Sequence, residues 1–274
     1  MKLAGISTLT LGLLALAPMQ ARAVEPLDTF SFRVGGYVTS WDTELRADGV
    51  TGRGTEIDLK RDFGLDDSAT IGYVGFTWRP WENHEFGLTY YQDDADASRT
   101  ITRDITFQDT TYLANSTVSA DVGVDAYEAY YVWWAARREN WALGPRVGLI
   151  WYRFDMALAL DVDVNGNQTG GSAREEANTD LPSITLGGAW RWTPGNSSAF
   201  RVGADLGYFK ANVNDVDGDV LFGRIGAEWF PWERSGFTLD YTISRITVDV
   251  NKSDFFGDLD FTDSGLKLGY IYRW

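Results

Sequence analysis

The chain has no cysteine in its 274 residues, which excludes a disulfide framework and any thiol chemistry. Histidine occurs once, as His84 in the run Trp81-Glu82-Asn83-His84-Glu85. A catalytic triad needs a nucleophile held against the imidazole by a rigid site, and nothing around His84 supplies one, so the run reads as a surface turn. Positive charge is scarce: 24 Lys and Arg stand against 39 Asp and Glu, for a formal net charge of −15. Acidic loops repel phosphates, so nucleic acid is excluded as a partner. After residue 23 no window approaches 18 uninterrupted apolar residues, and with them goes any transmembrane helix.

What is present starts with an export leader. Met1-Lys2 is a short positive start, Leu3 to Ala17 is apolar and uncharged, and Ala21-Arg22-Ala23 offers small residues where a signal peptidase reads. Cleavage is expected between Ala23 and Val24. Removing Lys2 and Arg22 makes the mature chain more acidic still. The mature part, residues 24–274, is long enough to be one domain.

The last ten residues carry the clearest pattern. Trp274, Tyr272, Tyr270, Leu268 and Leu266 fall on one side of a strand, with Arg273, Ile271, Gly269, Lys267 and Gly265 on the other. Similar alternation runs through Phe30–Val38, Ile184–Trp192, Phe200–Tyr208 and Phe237–Ser244. Each run is near the 9–11 residues a tilted strand needs to cross a bilayer. A soluble sandwich turns such an apolar face inward, whereas a membrane barrel turns it to lipid and its charged face to the lumen. The terminal ten residues resemble the closing strand of the Gram-negative outer-membrane β-barrel superfamily, which ends in an aromatic residue preceded by alternating hydrophobics. The resemblance implies a closed antiparallel transmembrane β-barrel. It makes Leu266, Leu268, Tyr270, Tyr272 and Trp274 the assembly signal, read by the barrel assembly machinery, and makes outer-membrane lipid and lipopolysaccharide the surroundings.

Connections set the strand count. Short ones are read at Arg79 to Glu85, Arg137 to Trp141, Thr193 to Ala199 and Pro231 to Gly236. Long acidic ones are read at roughly 42–68, 93–124, 156–180 and 210–219, with a shorter one near 249–262. Five outer loops and four inner turns give ten strands with both ends in the periplasm; eight and twelve are the neighbouring counts. Trp78, Trp81, Trp133, Trp134, Trp141, Trp190, Trp192, Trp229, Trp232 and Trp274 all fall at the short turns or the C-terminus. That is the distribution of a membrane–water girdle, where an apolar ring keeps its N–H near water. Trp78-Arg-Pro80-Trp81-Glu82 and Trp229-Phe-Pro231-Trp232-Glu233 repeat one another, which puts two of those turns on one side of the membrane.

The alternation assigns a set of charges to the lumen: Arg33, Glu128, Arg146, Arg191, Arg201, Asp205, Arg224, Glu228, Asp240, Lys267 and Arg273. Paired charges at ten strands favour a mostly filled interior. Asp161-Val-Asp163-Val-Asn165-Gly166 matches the first half of a calcium loop, with oxygen ligands at every second residue. Its twelfth position is Ser172 rather than Glu, and Asn165-Gly166 is also a hairpin turn, so Asp161, Asp163 and Asn165 are candidate Ca²⁺ ligands beside a plainer turn. No other cofactor is indicated. The stretch Gly54 to Asp67 is patterned enough to be an ordered loop but carries no assignable chemistry. The sequence therefore reads as a non-enzymatic integral outer-membrane barrel with a structural or surface-interaction role. A narrow solute channel is the second reading; a cation-binding surface protein or a barrel enzyme comes after it.

Overall fold

The computed structural model describes residues 24–48, 52–64, 68–163, 165–167, 169, 173–195, 198–213, 216–252 and 255–274. The leader, residues 1–23, lies outside them. Ten long strands form one closed antiparallel sheet: β1 Phe30–Ala47, β2 Ser68–Trp81, β3 His84–Thr100, β4 Thr117–Trp133, β5 Trp141–Val162, β6 Arg174–Trp192, β7 Phe200–Val213, β8 Val216–Trp229, β9 Ser235–Lys252 and β10 Phe255–Arg273. Each pairs with the next, and β10 returns to β1 in a register running from Ser31 opposite Arg273 to Ala47 opposite Gly257. Phe30 and Trp274 exchange backbone hydrogen bonds of 2.9 and 3.0 Å at the end of that seam. Closure leaves no sheet edge in the spanning region, as hydrocarbon requires.

Period-two alternation sorts the side chains. Val34, Val38, Val74, Leu88, Leu149, Leu186, Leu206, Ile225, Leu239, Leu266 and Leu268 all point out of the barrel and are exposed. A continuous apolar belt of this extent is untenable in water and is the normal outer surface of a strand-built membrane protein. Trp78, Trp81, Trp133, Trp229 and Trp274 line its short-turn rim. Trp134 departs from the expected girdle. It is 1% exposed and faces inward, its indole N–H donating to Glu85 Oε2 at 3.1 Å. It follows outward-facing Trp133 on the inward parity of Ala126 and Val132, so the same alternation that exposes Trp133 turns its neighbour under the barrel.

The strands outrun the belt, and this corrects two expected loops. Residues 210–219 and 249–262 are mostly ladder: β7 and β8 are joined through 214–215, and β9 and β10 through 253–254. Their Asp, Asn and Gly composition suggested loop, but Val216 faces Val250 and Asp217 faces Asp249 in continuous register. The longer connections are 48–67, 101–116 and 163–173.

Two seams stop short. The β6–β7 register covers only Leu186–Trp192 against Val202–Tyr208, and the β2–β3 register ends at Tyr73 opposite Tyr91. Beyond those pairs the cylinder parts into two half-sheets, β7-β8-β9-β10-β1-β2 and β3-β4-β5-β6. Between them lies an apolar core. Val118, Ala120, Phe154 and Leu158 of one half face Tyr37, Val220, Ile246 and Phe261 of the other, and connections 48–67 and 101–116 add Ile57, Phe63, Ile101, Ile105, Phe107 and Tyr112. Gln108 and Thr110 tie the second connection to Glu176 and Glu175 of β6.

The Gly54–Asp67 stretch is indeed ordered where it is described. Leu59–Phe63 makes a single wide helical turn, capped by Asp58, whose carboxylate accepts from Arg61 N–H at 2.8 Å, and ended by Gly64 at φ 68°. Asp62 holds it to the neighbouring connection, accepting from Arg103 at 2.6 and 3.1 Å and from Asp58 N–H at 3.0 Å. Burial pushes the Asp62 carboxyl up, but the hydrogen bonds from Arg103, Arg61 and the Asp58 backbone outweigh it and hold the pKa at about 2. The unfolded value is higher, so this stabilisation is full above about pH 4 and fades as pH falls through about 2. Amide exchange across Ile57–Phe63 is expected to accelerate between those pH values in the wild type. In Asp62→Asn it should already be fast at pH 5 and insensitive to acid over that window.

The barrel interior as candidate functional site

Every lumen charge read from the sequence lies inside the barrel, and the structure joins them in rows. In the row nearest the short turns, Arg201 of β7 bonds Glu228 of β8 at 2.6 Å and Asp28 at 2.6 Å. Glu228 also takes Arg33 of β1 at 2.8 Å, across the lumen from β8, and Asp28 takes Arg273 of β10 at 3.1 Å. The next row runs around one wall. Arg191 of β6 bonds Asp205 of β7 at 2.8 Å, Asp205 bonds Arg224 of β8 at 2.6 Å, and Arg224 bonds Asp240 of β9. These side chains sit on alternate positions of adjacent strands, so Asp205 lies between two guanidiniums, and Arg224 between two carboxylates, without leaving the ladder.

Above these rows Arg146 pairs with Glu128 and lies against the rings of Tyr130 and Phe222, at 4.8 and 4.5 Å from their centroids. Lys267 is held differently. Its ammonium stands 4.5 and 5.0 Å from the ring centroids of Tyr37 and Tyr91, a cation–π setting inside the sheet. Asp263, buried, is the hub of the next level. It accepts from Tyr37 Oη at 2.6 Å, Thr39 Oγ1 at 2.5 Å, Tyr152 Oη at 3.3 Å and Tyr91 Oη. Beside this hub is a cavity of about 20 Å³, bordered by Glu128, Ser244, Asp263 and Lys267. That is room for about one water molecule. The apolar core closes over it.

The sequence missed Asp28, Glu85 and Asp263. Asp263 has the same parity as Lys267 and Arg273 on one strand, a signal obscured by reading 249–262 as a loop. Asp28 precedes β1 and has no alternation to announce it.

Two of the candidate calcium ligands, Asp163 and Asp161, bond to groups of the protein itself. Asp163 Oδ1 accepts from Asn165 N–H and Asn167 N–H, both at 2.8 Å, and Oδ2 from the Asn167 amide at 2.9 Å, closing the turn in which Gly166 has φ 81°. Asp161 bonds Ser98 at 3.0 Å and Ser119 at 3.3 Å. Among the described residues no three acidic or histidine side chains are grouped to hold a metal ion. Carboxylates of this end border a surface groove of about 470 Å³, lined by Asp94, Asp96, Asp121, Asp155 and Glu176 together with Arg174, which bonds Asp121 and Glu176. His84 stands at the opposite end, its Nδ1 2.7 Å from Tyr131 Oη.

No family model matches the chain, and no curated protein matches it. Among solved structures it is similar to the outer membrane protease OmpT from Escherichia coli, with a TM-score of 0.57 at 12% identity, over 91% of this chain and 97% of that one. A looser likeness joins it to the Pseudomonas putida toluene transporter TodX, with a TM-score of 0.36 at 8% identity over 93% and 97% of the two chains. Ail, the attachment invasion locus protein of Yersinia pestis, scores 0.33 at 9% identity over 90% and 100%. The first of these establishes the fold, that of an outer-membrane β-barrel, and leaves the chemistry open.

Proposed function

We propose that the chain is an integral outer-membrane barrel with a sealed lumen, whose role is structural or carried by its outer surface. The supporting observation is the interior itself. Two rows of ion pairs, a tyrosine–aspartate hub and an apolar core succeed one another along the axis, with space beside the hub for about one water molecule. Pairs of this kind hold the wall together, because each charge is compensated by a neighbour on an adjacent strand or across the lumen. Outer-membrane lipid and lipopolysaccharide surround the belt, and the barrel assembly machinery recognises the face Leu266, Leu268, Tyr270, Tyr272 and Trp274. Activity as a channel is the outcome that would displace this reading. Purified protein in planar bilayers is expected to give no steady conductance; stable, salt-dependent single-channel steps in the wild type would move the assignment to a narrow pore.

A further inference from the structure

The residues before β1 do not trail away from the barrel. Val24 and Leu27 are 3% and 7% exposed. Val24 packs with Phe230 and Ile271, while Leu27 packs with Val132, Trp134, Ala142 and Ala189. Polar contacts hold the backbone between these anchors. Val24 N–H donates to Ser198 O at 3.1 Å, Arg201 donates to Glu25 O at 3.2 Å, and Arg79 donates to Asp28 O at 3.0 Å. The Asp28 carboxylate lies between Arg201 and Arg273, and both guanidiniums stack on Phe230, at 5.2 and 4.3 Å from its centroid. The contacts come from β2, β4, β5, β6, β7 and β10 and from the turns between them, so the segment crosses the mouth from wall to wall.

We propose that the short-turn mouth is a peptide-binding site whose resident ligand is the chain's own segment 24–29. The site has two apolar sockets, for a first residue and for one three positions on, and a pair of arginines for the carboxylate that follows. Each element is a means by which a groove reads a short extended peptide: burial of spaced anchors, capture of backbone carbonyls, and charge-assisted bonds to an acidic group. Arg201 stays near carboxylate when the segment leaves, since it keeps Glu228, whereas the carboxylate that Arg273 bonds is Asp28 itself. The vacated mouth therefore keeps one compensated arginine and presents the other to an incoming carboxylate. This inference concerns one end of the lumen, and the apolar core at the other end closes the barrel independently of it.

Because the chain lacks cysteine, Ala189→Cys introduces a single thiol beneath Leu27. Labelling by a bulky maleimide is compared in folded mature protein and in a version lacking residues 24–28. The shortened chain is expected to label at least about tenfold faster, the scale of losing a hydrogen bond to a charged group. Added hexapeptide of residues 24–29 should restore protection, and its analogue with asparagine for aspartate should not. Equal labelling of the two chains, or a hexapeptide that gives no protection, overturns the proposal. If the shortened chain does not fold, Asp28→Asn in the full mature chain replaces it. Faster labelling that excess hexapeptide slows supports the site, and a rate equal to the parent's overturns it. Bilayer conductance reports on the sealed lumen separately, so the two readings fail by different measurements.

Discussion

Replacing Asp205 by leucine is expected to destabilise the barrel by about 3–5 kcal/mol, the range for breaking a buried ion pair from one side. Asp205 is 7% exposed and accepts from both Arg191 and Arg224. Arg224 retains Asp240 in the variant, but Arg191, itself buried, is left without the carboxylate it bonds. A guanidinium left with the Trp190 and Ala204 carbonyls as acceptors has little solvent to turn to in this interior. Adding Arg191→Met should therefore recover most of the loss, because the pair is then replaced by apolar groups of similar volume and Arg224 keeps its remaining partner. Reversible urea unfolding in lipid vesicles measures all three variants. A single variant within about 1 kcal/mol of wild type would mean that the interior is wetter than these distances imply.

Gly187→Val carries the other large effect, and here the cause is steric. A Cβ at Gly187 would lie 1.8 Å from Leu206 O and 2.8 Å from Gly207 Cα, both backbone atoms of the adjoining strand. Neither atom yields without separating β6 from β7. That seam has the shortest ladder in the cylinder apart from the interrupted β2–β3 pairing. Loss of closure there exposes unpaired N–H and C=O groups to lipid, each costing several kcal/mol. The expected result is no heat-modifiable folded band at all. Gly72 is the control: a Cβ there meets nothing within 4 Å, so Gly72→Val should fold as wild type does. If both variants fold equally well, strand spacing at this seam is not fixed by glycine.

The spanning strands were legible because one chemical rule, apolar to lipid and small or charged inward, repeats with period two over many residues. Ten strands and the lumen charges follow from that parity. The rule weakens above the belt, where the inward face meets the apolar core instead of charges. In 210–219 and 249–262 turn-forming residues dominate the composition, and pairing with a neighbouring strand overrides their local preference. Trp134 shows the converse failure. Its place beside a short turn grouped it with the girdle, whereas its parity is that of buried Ala126 and Val132, which turns its ring into the interior. Asp28 owes its importance to arginines, and Glu85 to Trp134, distant in the chain, and no local pattern marks such a partnership. The interior plug formed by Ile57, Phe63, Ile105 and Phe107 is similarly a property of how two connections fold back together.

The two seams that stop at Leu186–Tyr208 and Tyr73–Tyr91 also specify the membrane this protein suits. Seven residue pairs on a strand tilted about 40° rise roughly 18 Å, less than the apolar band of about 25 Å common in such proteins. A thicker hydrocarbon layer would submerge parted strand edges whose amides need water, so the protein is a gauge of bilayer depth as well as an occupant. It should partition toward thin membranes and thin a thick one around itself. The cost of mismatch would then be concentrated at two opposed points on its circumference instead of being shared around the rim.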